Sequence, residues 1–213
     1  MAARAPHKAL LEGARAALLF ASLAGPVAGL CAADGLAHLK IGTAAPAFNA
    51  AAADGRRHAL HEFAGRIVVL EWTSPVCPYT AVKYDSGAMQ ALQRYAAAHH
   101  IVWLSIDTAA AGAQGYLTPA AARARLAKTQ ATVSAFLFDK DTHIARAYGA
   151  KTTPSFFIID REGKLAYQGA MDAEESAENT EPRKYVQEAL AALLSGAPIA
   201  TPESAQRGCA VEY

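Results

Sequence analysis

The segment Leu70-Glu-Trp-Thr-Ser-Pro-Val-Cys77-Pro78-Tyr79-Thr80 restricts the folds open to this chain more than any other. It is entered by Ile67-Val-Val-Leu70, a continuous β-branched and apolar run that predicts a strand buried on both faces of a sheet. Within a few residues that strand reaches one cysteine, then a proline and a helix-like stretch. Pro78 suits a first helical position, because its missing N–H would have had no partner there. Cys77 then sits at a helix N-terminus, where free N–H groups and the positive end of the dipole favour thiolate over thiol. Such settings lower a cysteine pKa from about 8.5 to roughly 3.5–7.5. The segment therefore predicts a redox nucleophile; the competing reading is a buried structural cysteine, since a free thiol packs like a small hydrophobe. Three residues beyond Cys77, where a dithiol site would place its second cysteine, stands Thr80.

The rest of the chain alternates strand and helix patterns. Ile101 to Ile106 predicts a second central strand and Ala135 to Phe138 a short one. Ser155 to Ile159 and Lys164 to Gln168, joined by the turn Asp160 to Gly163, predict a β-hairpin. Asp54-Gly55 marks a turn between two short strand-like pieces. A helical stretch runs from Pro78 to about Ala98, with a bend expected at Ser86 and Gly87. Thr118-Pro119 is an N-cap and first-turn pair leading a helix to about Lys128. Short helices are expected over Thr142 to Tyr148, closed by Gly149, and after Pro182 to Ser195-Gly196. Thr108 to Leu117 reads as a loop, Asp172 to Glu181 as an acidic mobile segment. This order predicts an α/β class with parallel pairing in the middle and an antiparallel edge.

The first 33 residues do not fit that domain. Arg4, Lys8 and Arg15 give a basic start opposed only by Glu12, and Ala16 to Leu30 is uncharged and mostly apolar. Cys31-Ala-Ala33 supplies small residues for cleavage, so the layout predicts a secretory signal over 1–33 rather than a membrane span. A lipid anchor on Cys31 is less favoured, because Leu30 stands where a small residue is wanted. Residues 34–196 would form one domain and 197–213 a tail without period, flexible in appearance. Removing 1–33 takes the formal net charge from +1 to −1. No basic footprint for nucleic acid remains, and no stable membrane span is expected after cleavage. Cys77 and Cys209 are the cysteines left, in a periplasmic or extracellular setting that permits disulfides.

The strand leading into Trp72 and Cys77-Pro78, the segment Tyr148-Gly-Ala-Lys-Thr-Thr-Pro154, and the hairpin Phe156-Phe-Ile-Ile-Asp160 to Gly163 together resemble the thioredoxin-like superfamily. They are closest to its redoxin branch, related to the alkyl hydroperoxide reductase/thiol-specific antioxidant (AhpC/TSA) proteins. The likeness covers roughly Leu39 to Leu194. It implies a thioredoxin-like fold, a central mixed sheet flanked by helices, with a cis-proline loop at Thr153-Pro154 beside the active cysteine; an ordinary trans proline at a strand's first residue is the alternative. It implies Cys77 as the attacking thiol, in a wall to which Pro78, Tyr79, Thr153, Pro154 and Trp72 contribute substrate contacts. Trp72 also reads simply as core.

Thr80 departs from the dithiol pattern. Its hydroxyl can hydrogen-bond a Cys77 thiolate, or can be only a small polar group in a first helical turn. Cys209, after Gly208, resembles the Gly-Cys ending of related redoxin-like chains. It is open to four roles: a resolving thiol, a static bridge to the body, a bridge between chains, or a spare thiol. Ser74 fills the place three residues before the cysteine where peroxiredoxins carry Thr or Ser. Leu70, however, stands where their pattern has Pro, and Thr153-Pro154 where they have an arginine, with Arg146 the nearest. Glu71 reads as a solvated acid at a strand end, or, less favoured, as a carboxylate relaying protons to the cysteine like the buried acid of thioredoxins. His99 and His100 read as a solvated loop. No metal and no cofactor is expected.

The expectation is thus an exported thiol–disulfide oxidoreductase using Cys77, resolved by Cys209 or by an outside thiol. Its partners would be a disulfide-bearing protein or a small thiol or peroxide, with an external thiol reductant. A thiol peroxidase and a non-catalytic binding module are the alternatives.

Overall fold

Strand β3 (Val68–Trp72) lies in the interior of a seven-stranded sheet. It pairs in parallel with β4 (Val102–Asp107) and antiparallel with β7 (Ser155–Ile159). The computed structural model describes residues 39–173 and 182–213. The expected signal over 1–33 and most of the acidic segment after Asp172 lie outside the described residues. The sheet order is β2-β1-β5-β4-β3-β7-β8, with β1 (Asn49–Ala52), β2 (Arg57–Ala59), β5 (Ala135–Phe138) and β8 (Leu165–Gly169). The β3-β4-β5 centre is parallel, while β2-β1 on one side and β7-β8 on the other run antiparallel to their neighbours.

Both faces of the centre are covered, which is why its strands are apolar without alternation. Val68, Leu70 and Trp72 join Val102, Leu104, Ile106 and Phe157 in one core, capped by Ile144, Ala145 and Tyr148 of α4 (His143–Tyr148). Val69, Trp103, Phe156 and Ile158 face the other core. There they meet Met89, Leu92 and Ala96 of α2 (Ala88–Ala98) and Val186, Ala189 and Leu190 of α5 (Tyr185–Ser195). At about 25 cal/mol per Å² of apolar surface removed from water, these two layers carry the fold.

The bend expected at Ser86 and Gly87 is a break. α1 (Pro78–Asp85) ends there and α2 starts anew, with Gly87 at φ +78°, a conformation that costs glycine nothing. α3 (Pro119–Lys128) begins as its sequence suggests, with the Thr118 hydroxyl accepting from Ala121 N–H at 3.2 Å. Among the described residues no helix is long and apolar enough to cross a membrane.

Residues 197–213, patternless in sequence, are bound along the body of the domain. The Ser204 hydroxyl accepts from Ala170 N–H at 3.0 Å. Gln206 accepts from Lys151 N–H at 2.7 Å, and Val211 N–H donates to Lys151 C=O at 2.9 Å. Val211 itself is buried in the first core. Between these anchors β9 (Cys209–Ala210) pairs antiparallel with β6 (Thr152–Thr153), placing Cys209 opposite Thr153.

Candidate active site: the Cys77–Cys209 pair

Three local devices converge on Cys77. The strand β3 delivers the chain to its carboxyl end, where Thr73 N–H still bonds to Ile106 C=O at 2.9 Å. A turn follows, in which the Ser74 hydroxyl accepts from Val76 N–H at 3.4 Å. Cys77 then takes the N-cap of α1 in an extended conformation, with Pro78 at the first helical position. The cysteine is 1% exposed.

Its sulfur is bonded to that of Cys209, across 132 residues of sequence and a Cα–Cα separation of 5.8 Å. That separation lies in the usual range for a disulfide. The bond is possible because β9 brings Cys209 alongside Thr153, and the Thr153–Pro154 peptide, which is cis, lies against Cys77. Cys77 Sγ is 2.9 Å from the Thr153 carbonyl oxygen, an acceptor for the thiol once the bond is opened. Gly208 makes the approach feasible. Its φ of +145° and its closeness to the Thr153 carbonyl leave no room for a Cβ.

The residues singled out in the sequence divide into three groups. Cys77, Cys209, Ser74 and Thr153 border one cavity of about 720 Å³. Thr80 is fully buried, and among the described residues its hydroxyl has no hydrogen-bond partner. Trp72 is fully buried as well, 5.2 Å from Phe157 and 5.7 Å from Tyr148 between ring centroids, so it stands in the core and does not border that cavity. Tyr79, 55% exposed, faces solvent, and Val76 and Val82 are exposed too.

Glu71 corrects the sequence reading. It is wholly buried, not a solvated strand end. Its Oε2 accepts from Trp103 Nε1–H at 2.8 Å, from the Ser105 hydroxyl at 2.7 Å and from Gln93 at 3.4 Å, and its Oε1 from the Tyr84 hydroxyl at 3.2 Å. Burial pushes its carboxyl pKa upward, against the pull of these four donors. One signal in the sequence points to this placement. A strand buried on both faces has no solvated side for an acid at its fourth residue.

Sequence reasoning also missed the charged rim of the cavity. Asp107 ends β4, where open α/β sheets gather their ligands at the carboxyl ends of strands. It is paired at 2.6 Å with Lys140, and burial raises its pKa while Lys140 opposes the rise. Arg146 of α4, without geometric support in the sequence, borders the same cavity, with its guanidinium 4.8 Å from the centre of the Tyr213 ring. The Tyr213 hydroxyl donates to Ala150 C=O. His99 and His100 are exposed at the end of α2. Among the described residues no group of three His, Cys, Asp or Glu is placed to hold a metal ion.

Known proteins give the same frame. Residues 41–168 match the family model described as the AhpC/TSA family. A hypothetical protein of Sinorhizobium meliloti 1021 superposes with a TM-score of 0.73 at 24% identity, over 83% of this chain and 96% of that one. An uncharacterized conserved protein of Geobacillus kaustophilus gives 0.72 at 24% identity, over 83% and 93%. A candidate thiol:disulfide interchange protein, DsbE, of Chlorobium tepidum gives 0.56 at 23% identity, over 74% and 99%. No curated protein matches the sequence. The fold is the thioredoxin-like one, a mixed central sheet flanked by helices.

Proposed function

This chain belongs to the AhpC/TSA family, and we propose that within it the protein is an exported thiol–disulfide oxidoreductase whose working pair is Cys77 and Cys209. One observation carries the reading: a cysteine at the N-cap of α1 is joined to a second cysteine that a dedicated strand pairing holds beside it. The missing cysteine at Thr80 is thereby replaced from the far end of the domain. In the dithiol state the free N–H groups of α1 favour a Cys77 thiolate. The Thr80 hydroxyl, buried in the first turn of the same helix, would have to shift to donate to that charge.

The pair would alternate between the disulfide seen here and a dithiol. A substrate disulfide accepts two electrons from the dithiol through a mixed disulfide, and an external thiol restores the pair. Residues 34–196 are the proposed catalytic domain and 197–213 the tail that supplies its second cysteine. Removal of 1–33 on export to the periplasm or beyond suits a protein whose cycle needs an oxidising compartment.

Redox titration of the purified protein tests this reading. In glutathione buffers the Cys77–Cys209 bond should open and close reversibly, and disulfide reductase activity should vanish in both Cys77→Ser and Cys209→Ser. A bond that resists dithiothreitol in the native protein would reduce the site to a static staple on a binding module. Peroxide reduction is a second reading, favoured by Arg146 and Ser74 on the same cavity as the two sulfurs. Thiol-dependent consumption of hydrogen peroxide, lost in Cys77→Ser, would support it.

A further inference from the structure

The two sulfurs differ in reach and in chemistry. Both cysteines border the cavity, but Cys77 contributes almost no surface, whereas Cys209 is only half-buried. Cys77 occupies a helix N-cap, where its thiolate is stabilised. Cys209 lies on a two-residue strand and does not itself cap a helix. Thiol–disulfide exchange asks for an accessible sulfur to attack and a stable thiolate to leave. Here the accessible sulfur and the better leaving group are different atoms, and the two requirements agree.

We propose that small thiols and disulfides enter through this cavity and react at Cys209, with Cys77 as the buried resolving thiol; the proposal rests on the redox reading of the pair. It reverses the roles expected from the sequence, in which Cys77 meets the partner. In the reducing direction a thiolate RS⁻ attacks Cys209 Sγ and forms a Cys209–S–S–R bond. The Cys77–Cys209 bond breaks with its electron pair on Cys77 Sγ, which leaves as thiolate. A second RS⁻ attacks the R sulfur and releases R–S–S–R and the Cys209 thiolate, which takes a proton from solvent. Two thiols are oxidised and one protein disulfide is reduced. A small disulfide substrate follows the reverse path, attacked by Cys209 and resolved by Cys77.

The same geometry selects for size. An extended polypeptide would have to add a strand along Thr152–Thr153, and β9 already fills that edge. Gly208 lies against the Thr153 carbonyl, Val211 is in the core and Tyr213 is tied to Ala150, so the edge is closed while the tail is docked. The cavity, at about 720 Å³, falls in the range that encloses small organic ligands. Lys140, Arg146, Asp141 and Glu212 give its rim both signs of charge, as a zwitterionic thiol would require.

The test uses oxidised wild-type protein and glutathione as the probe. Partial reduction is quenched with N-ethylmaleimide, and the peptides carrying Cys77 and Cys209 are mapped by mass spectrometry. Glutathione on Cys209 with maleimide on Cys77 should outnumber the reverse arrangement severalfold. Adducts mainly on Cys77, or divided evenly, would overturn the proposal and leave the redox pair standing. If neither glutathione nor dithiothreitol opens the bond until guanidinium unfolds the protein, the redox reading fails and this proposal with it.

Discussion

Gly208 rests against the main chain of Thr153 so closely that a side chain on it would occupy the space of the Thr153 carbonyl oxygen. One residue later the chain presents Cys209 to Cys77, so the glycine sets how near the two sulfurs come. Gly208→Ala must therefore lift β9 off β6. The loss should exceed about 1 kcal/mol, since alanine is also strained at this positive φ. Urea unfolding of the reduced protein reads the stability. The fraction of Cys77–Cys209 bond formed in a fixed glutathione buffer should fall in parallel; an unchanged fraction would show that the tail tolerates the displacement.

Opening the bond should cost stability even where the tail remains docked. Joining residues 132 apart removes much of the freedom of the unfolded chain, and the chain-entropy account places the effect at about 2–5 kcal/mol. Calorimetry with and without dithiothreitol should show a lower Tm for the dithiol form. Cys209→Ser should lower Tm to a similar extent and be insensitive to the reductant.

The tail also covers Cys77. In a Cys209→Ser background, iodoacetamide should modify Cys77 slowly. Adding Val211→Asp, which forces a charge into the first core, should release the tail and speed the modification. Equal rates in the two proteins would mean that elements other than the tail shield Cys77.

Glu71 makes stability depend on pH. Burial raises its folded-state pKa above the ordinary carboxyl value, so the folded protein holds a proton that the unfolded chain releases. The stabilising contribution is complete below the ordinary pKa of about 4.5. It is lost as pH rises through the folded value. Glu71→Gln keeps the shape and removes the titration, so the stability difference between wild type and variant should shift in favour of the variant as pH increases. Subtracting the two curves cancels Asp107 and Asp139, whose pKa values are raised in the same direction. Glu71→Leu should instead lose about 1–3 kcal/mol per stranded buried donor, with Trp103 Nε1–H foremost. A flat difference between wild type and Glu71→Gln would show that Glu71 does not titrate over the range.

Much of this architecture was readable from local chemistry. The β-branched runs at Val68 and Val102, the Thr118-Pro119 start, the glycines 149 and 196 that close helices, and the Cys77-Pro78 N-cap each encode their own neighbourhood. Where the reading stopped, the cause was long range. The doubly buried strand hints that Glu71 is inside, but what satisfies its carboxylate shows only when Trp103 and Ser105, more than thirty residues on, are laid beside it in the parallel pairing of β3 with β4. Residues 197–213 have no period because they pack through single side chains (Ser204, Gln206, Val211, Tyr213) and a two-residue strand. Arg146 could be placed on a helix from sequence, but only the packing of α4 shows that it reaches the cavity.

The distance along the chain between the two cysteines also fixes when they can meet. Two cysteines a turn apart on one helix would collide often in an unfolded chain, and their bond would form early and say little. Cys77 and Cys209 share a neighbourhood only after β4, β7 and the β6–β9 pairing have been laid down around them. Before that, loop closure over such a length makes their encounter rare. Bond formation should therefore follow assembly, favoured once the intervening sheet holds the two cysteines together.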